Sequence, residues 1–285
     1  MGPRGLKHDY MITSNSNSKI RNIIKLCTGN KARREQNAFV AEGVKMFMEA
    51  PLARIREVYV REDLADKITR VIDENEADPE EKILKACFNK LQETGFETVS
   101  RGVFDRISDT VTPQGILFVI EKEVHDLAGI IEDHKGRELR VLVVENVRDP
   151  GNIGTMIRTM EAAGYDLLLA SRETVDIYNP KVIRSTMGSV YRIPVIYSED
   201  LIKDVCLLKE AGVKVYAAHL KGRSFYDEIS YPDRVAVMIG NEAAGLSDEI
   251  SALADEPVRI PMQGQVESLN AAVAAALFLF ITRRK

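Results

Sequence analysis

Five polar side chains in the C-terminal half stand in or beside glycine-containing turns. Asn152 and Arg158 lie in Pro150-Gly151-Asn152-Ile153-Gly154-Thr155-Met156-Ile157-Arg158. Glu242 lies in Gly240-Asn241-Glu242-Ala243-Ala244-Gly245-Leu246-Ser247. Ser268 and Asn270 close the stretch that starts at Ile260-Pro261-Met262 and ends at Ser268-Leu269-Asn270. Each turn follows an apolar run and leads into a helix start, where several backbone N–H groups have no partner. Such places bind ligands, and glycine lets a backbone approach one closely. Each residue also has a plainer reading: Asn152, Ser268 and Asn270 as helix caps, Glu242 as an exposed loop acid, Arg158 as a solvated helical cation. Arginine is a poor proton acceptor, so a chemical role for Arg158 would be to hold an anion. Three turns of one kind in one half of a chain suggest a single composite pocket.

The elements that must position these turns alternate regularly. Strands are expected near 139–145, 166–170, 193–197, 213–219, 235–240 and 257–262. Helices are expected near 152–163, 180–187, 200–211, 247–253 and 267–283. Gly164, Gly188 and Gly212 each follow a helix, as C-terminal caps do. Asn179-Pro180 reads as a cap followed by proline at the first helical position. This alternation predicts an α/β fold with a parallel sheet covered on both faces, and ligands bind at the carboxyl ends of such strands. Upstream, Ile20, Ile23, Ile24 and Cys27 recur at helical spacing. Short strands near 39–40, 55–60 and 115–120, with helices near 42–50, 64–75 and 82–93, make a smaller α/β domain. The expected plan is a first domain over 11–120, a charged linker over 121–137 that is partly helical, and a second domain over 138–285. Met11 can serve as a second translation start.

The three turns resemble the three motifs of the SpoU/TrmH family of RNA ribose 2′-O-methyltransferases, within the SPOUT superfamily. The resemblance is close over 138–285. The N-terminal third more loosely resembles the substrate-binding domain of rRNA-modifying members, of the L30/L7Ae-like kind. The resemblance implies a deep trefoil knot near the C-terminus, S-adenosylmethionine as cofactor, and a homodimer. It also implies transfer of a methyl group to a ribose 2′-hydroxyl, with 23S rRNA as the expected substrate. Carried over by position, Asn152, Arg158, Glu242, Ser268 and Asn270 would form the catalytic set. Gly240, Asn241, Gly245, Ile260, Met262 and Leu269 would line the cofactor pocket. Two alternatives stay open: a tRNA 2′-O-methyltransferase, and a non-catalytic RNA-binding protein of the same fold. The absence of a strand–Gly-x-Gly-x-x-Gly–helix fingerprint argues against a dinucleotide oxidoreductase.

Composition narrows the partners. The net charge is −4, yet residues 1–60 carry eleven Lys/Arg against five Asp/Glu, so the basic charge is concentrated there. Lys19, Arg21, Lys25, Arg33 and Arg34 are read as a phosphate-contacting surface beside the plainer reading of a solvated face. Lys181 and Arg184, at the Asn179-Pro180 helix start, are read as further RNA contacts or as capping neighbours. Cys27, Cys87 and Cys206 lie far apart, and the four histidines do not cluster, so no metal site is expected. No apolar run reaches membrane-spanning length, no signal-peptide core is seen, and free thiols suit a reducing cytoplasm.

Overall fold

The apolar runs along the chain form two separate sheets. The computed structural model describes residues 11–72 and 78–283. The first sheet contains β1 (Met11–Ile12), β2 (Ala38–Glu42), β3 (Ile55–Arg61), β4 (Glu97–Val99) and β5 (Ile116–Glu121), in the order β1-β4-β3-β5-β2. It is mixed: β1 and β3 run parallel to β4, while β5 is antiparallel to β2 and β3. Helix Ser18–Thr28 buries Ile20, Ile23 and Leu26 in this unit's core with Tyr59 and Phe104. Its N-cap is Asn17, whose side chain accepts from the Lys19 N–H at 2.9 Å.

The second sheet contains β6 (Leu139–Val144), β7 (Leu167–Ser171), β8 (Val195–Ser198), β9 (Lys214–Ala218), β10 (Ser224–Phe225), β11 (Arg234–Ile239) and β12 (Glu256–Arg259). The order is β10-β12-β9-β11-β6-β7-β8, and every pairing is parallel. β6 is buried along its whole length, as expected of a strand covered on both faces. β6 and β11 pair in register from Leu139 with Arg234 to Val144 with Ile239. The turns after these two central strands therefore emerge side by side. Helices Pro150–Ala163 and Ala271–Ile281 pack against each other.

The chain divides into two compact units, Met1–Lys122 with Tyr178–Tyr191, and Glu123–Ile177 with Arg192–Lys285. Several features differ from the sequence expectation, among them β10, which no expected strand covers. Helix Pro180–Thr186, expected in the second domain, packs on β2 of the first unit, with Phe39 and Tyr178 rings 4.9 Å apart. The segment expected as a linker holds helix Leu127–Asp133, whose Leu127 and Ile130 join the core of the second unit. Apolar residues at three-residue spacing pull it onto the sheet. The helix expected over 64–75 is Glu62–Ile72, and residues 73–75 lie outside the described residues.

Candidate functional site

The helix that follows β6 starts two residues earlier than its sequence suggests. Asp149 is its N-cap and accepts from the Asn152 N–H at 2.8 Å, and Pro150 occupies the first helical position. Asn152 is thus inside the helix and buried, with its amide free for other partners. At the far end of the chain, Asn270 caps helix Ala271–Ile281. Its Oδ1 accepts from the N–H groups of Ala272 and Val273 at 2.9 and 3.3 Å. That cap fixes the orientation of the Asn270 amide, because Oδ1 must face the helix. Asn270 Nδ2 then donates to Asn152 Oδ1 at 2.9 Å, and Asn152 Nδ2 donates to Glu242 Oε1 at 3.0 Å. One directional chain of hydrogen bonds joins all three turns.

The Glu242 carboxylate ends that chain and gathers further donors. The Asp149 N–H reaches Oε1 at 3.1 Å, and the Arg148 N–H reaches Oε2 at 3.3 Å. Asn241 Nδ2 lies 3.4 Å from Oε2. Desolvation pushes the Glu242 pKa up, but the Asn152 amide and the surrounding backbone N–H groups outweigh it and hold it below the ordinary value. The geometry makes Glu242 an anionic brace for the turn after β6 and a poor candidate for taking up a proton.

The turn after β11 is closed on itself. Asn241 and Gly245 exchange N–H···O bonds of 3.0 and 2.9 Å, and the Asn241 Oδ1 accepts from the N–H groups of Ala243 and Ala244. Gly245 has φ of +73°, in the left-handed region that glycine tolerates. Gly240 is required for a different reason. A Cβ there would lie 2.1 Å from the Gly245 carbonyl carbon and 2.2 Å from the Leu246 nitrogen. The space beside its Cα is filled by the turn's own backbone, so the geometry ties this glycine to closure of the turn.

Beyond β12 the chain runs irregularly through residues 260–270. Ile260, Met262 and Leu269 are half-buried, and Ser268 is exposed. Among the described residues, the backbone groups of 260–269 make no hydrogen bond within the chain. They are open to a ligand read through backbone donors and acceptors. Arg158 is exposed on its helix, and its guanidinium has no hydrogen bond or ion pair among the described residues.

The basic residues divide by environment. Arg33 is buried, and its guanidinium donates to the carbonyls of Leu26 and Cys27 at the end of helix Ser18–Thr28. This corrects the reading of Arg33 as a phosphate contact: its charge serves the helix terminus. Lys19 is paired with Glu97, and Arg184 with Asp109 at 3.0 Å. Arg21, Lys25, Arg34 and Lys181 are exposed, and their charged ends have no partner among the described residues. The sequence reading missed Asp149, whose Asp-Pro pair is a recognisable helix start. It also missed Glu145, buried after β6, which accepts from Ser247 through N–H at 2.8 Å and Oγ at 2.7 Å. Nothing in local pattern separates that glutamate from an exposed one. Among the described residues, no three His, Cys, Asp or Glu side chains are grouped to hold a metal ion, and no helix is long and apolar enough to cross a membrane.

Comparison with known proteins bears on this arrangement. The family model described as SpoU rRNA Methylase matches residues 139–280, and the one described as MRM3-like substrate binding domain matches 17–117. The 23S rRNA (guanosine(2553)-2′-O)-methyltransferase RlmP of Bacillus subtilis (strain 168) is 34% identical over 276 residues, covering 95% of this chain and 98% of that protein. The crystal structure of AdoMet-bound rRNA methyltransferase from Sinorhizobium meliloti superposes with a TM-score of 0.78 at 31% identity, covering 96% of this chain and 97% of that one. The SpoU methyltransferase AviRb from Streptomyces viridochromogenes shares the fold at 24% identity, with a TM-score of 0.74 and coverage of 94% and 98%.

Proposed function

The chain belongs to the SpoU rRNA methylase family and is an S-adenosylmethionine-dependent RNA ribose 2′-O-methyltransferase; from that premise we propose that it modifies 23S rRNA, as a cytoplasmic homodimer. The first unit would select the RNA, and the second unit, which includes helix Leu127–Asp133, would carry the chemistry. The observation that carries the assignment of the site is the hydrogen-bonded chain Asn270–Asn152–Glu242, which locks the three turns together at the carboxyl ends of β6, β11 and β12.

When bound, S-adenosylmethionine supplies a methyl group on a sulfonium centre. The protein's part is to hold the ribose 2′-oxygen in line with that group and to keep water away, and positioning of this kind supplies much of such a rate enhancement. Gly240, Asn241, Gly245, Ile260, Met262 and Leu269 are assigned to the cofactor pocket. The unused backbone groups of 260–269 support this. Asn152, Glu242 and Asn270 keep the turns in register, and Ser268 faces the incoming nucleotide. Arg158 is assigned to the developing alkoxide and the neighbouring phosphate, where a preorganised cation is most effective. Its exposure and lack of an internal partner support the role. Arg21, Lys25, Arg34 and Lys181 are assigned to RNA phosphates. A trefoil knot in the C-terminal residues is part of the same proposal, supported by the family's fold.

The test maps ribose 2′-O-methyl groups across rRNA and tRNA from cells with and without this protein. It is paired with transfer of labelled methyl groups by the purified chain. One 23S rRNA position that loses its methyl group in the deletion and regains it in vitro is the expected result. Loss confined to tRNA would replace the substrate, and no transfer to any RNA would point to a non-catalytic binding protein.

A further inference from the structure

A cleft of about 400 Å³, lined by polar side chains together with Ala244 and Leu246, opens at the carboxyl ends of β6 and β11. Its walls include Glu145, Asn146, Arg148, Asn241, Gly245 and Ser247. The volume is within the range of small-ligand sites. The walls are held in place before any ligand arrives. Glu145 is spent on Ser247, by the two short bonds given above. Asn146 is held in the left-handed region at φ of +56°; its N–H donates to Ser171 Oγ at 2.9 Å, and its carbonyl accepts from Asn241 Nδ2 at 2.8 Å. A non-glycine residue kept in that conformation by two partners, Ser171 and Asn241, marks a backbone shaped for a purpose.

Arg148 is the cation at this cleft. Its side chain is exposed, and its guanidinium has no hydrogen bond or ion pair among the described residues. Its backbone is anchored, because the Arg148 N–H donates to Glu242 Oε2, on the same carboxylate that holds Asn152. The cation is therefore free at its tip and fixed at its root to the hydrogen-bonded chain that orders the site. None of the nearby carboxylates is paired with it: Glu145 accepts from Ser247, Glu242 from Asn152 and the Arg148 and Asp149 N–H groups, and Asp149 from the Asn152 N–H. An unpaired guanidinium at a preformed cleft suits a phosphodiester, which it can engage in a two-pronged contact.

Resting on the proposed RNA substrate, we infer that Arg148 and this cleft form a subsite for the nucleotide flanking the methylated one, with the phosphate on the Arg148 guanidinium and the base against Asn146. Arg148 is then a positioning residue. It sets where the RNA backbone lies relative to the site, and takes no part in methyl transfer itself.

The experiment compares the full-length protein with Arg148→Gln, Arg148→Lys and Asn146→Ala. The probe is an in vitro transcribed 23S rRNA. Affinity is read by filter binding across a salt series, and transfer kinetics by labelled S-adenosylmethionine. Arg148→Gln is expected to raise the KM for RNA about tenfold and to reduce the slope of log affinity against log salt by about one, as loss of one phosphate contact should. The turnover number should stay within about twofold of wild type, and calorimetric affinity for S-adenosylmethionine should not change. Arg148→Lys should recover most of the affinity, since lysine binds phosphate as a point charge. Asn146→Ala should raise KM at an unchanged salt slope. An unchanged KM and slope for Arg148→Gln would overturn the inference. So would a fall in turnover at constant KM, which would place the residue in the chemical step. If the wild-type chain bound this RNA without methylating it, the proposed reaction would fail, while the salt slope would still decide the role of Arg148.

Discussion

Asn152 is the residue on which the three turns converge, and its position in the helix explains why. With Asp149 as the cap, the Asn152 side chain is free to receive from Asn270 and give to Glu242. Replacing it with alanine leaves a carboxylate without one donor and an amide without an acceptor, which costs about 1–3 kcal/mol. Asn152→Ala should therefore lower stability by that order in chemical denaturation, and reduce methyl transfer about a hundredfold or more because the turns lose register. Full activity in Asn152→Ala would mean that the bridge is structural ornament to the chemistry. Glu242 makes a pH-dependent contribution of known sign. Its folded pKa lies below the ordinary 4.5. The stabilisation is therefore complete above that value and disappears as pH falls through the lowered folded value. The stability gap between wild type and Glu242→Gln should be present at neutral pH and close in strongly acid solution. A gap that stayed constant from neutral pH down would show that the charge itself is irrelevant. These residue-level features were legible in part. Glycine, asparagine and proline at turns report backbone demands that any reader of the sequence can see. The order of the hydrogen bonds was not legible, because it depends on which residue caps each helix.

At the scale of elements, a glycine and an arginine each serve a local end. The sequence suggests that Gly240 gives room to a ligand. The structure puts the Gly245–Leu246 backbone where its Cβ would be, so a side chain would break the turn after β11. Gly240→Ala should destabilise the fold by about 3 kcal/mol or more, through strain against backbone that cannot yield. Cofactor binding should fall with it. Gly264→Ala is the contrast, since nothing lies within 4 Å of its added methyl group. A lower melting temperature for Gly240→Ala alone is the expected pattern, and equal melting of the two variants would contradict it. Arg33 was misread because a run of basic residues has no visible faces until the chain bends. Helix Ser18–Thr28 stops at Gly29, helix Asn30–Glu35 follows, and the bend turns Arg33 back onto the carbonyls it caps. Arg34, one residue later, points to solvent. The alternation of β6, β7, β8, β9, β11 and β12 with helices was readable because strand and helix periodicities differ; β10, two residues long, is too short to show a period. The placement of Pro180–Thr186 was not, because its own pattern fits either unit and its packing against β2 decides.

At the scale of the whole molecule, two surfaces should define how the protein works. Helix Ala271–Ile281 leaves Val273 and Phe280 about half exposed, 50% and 53%, on a face that also presents Leu277. An exposed apolar stripe on a C-terminal helix suits a two-fold partner, which would meet the same stripe on its own copy. Val273→Asp with Phe280→Asp should convert a dimer to a monomer in light scattering, and a wild-type monomer at assay concentration would exclude the dimer. The second surface concerns RNA. Arg21, Lys25 and Arg34 are exposed and unpaired among the described residues, whereas Arg33 is buried. Neutralising the first three to glutamine should leave the melting temperature nearly unchanged, because no internal partner is lost. It should weaken RNA binding and reduce the salt slope by about three, one for each phosphate contact removed. S-adenosylmethionine affinity should not move. Arg33→Ala should do the reverse, costing about 1–3 kcal/mol of stability by leaving the Leu26 and Cys27 carbonyls without their donor. Its effect on RNA should come only through unfolding. Arg158→Ala should differ from both, with RNA affinity largely kept and methyl transfer abolished. If the triple variant bound 23S rRNA normally across the salt series, the basic run would be a solvated face only. The selection of RNA would then have to come from other residues of the first unit.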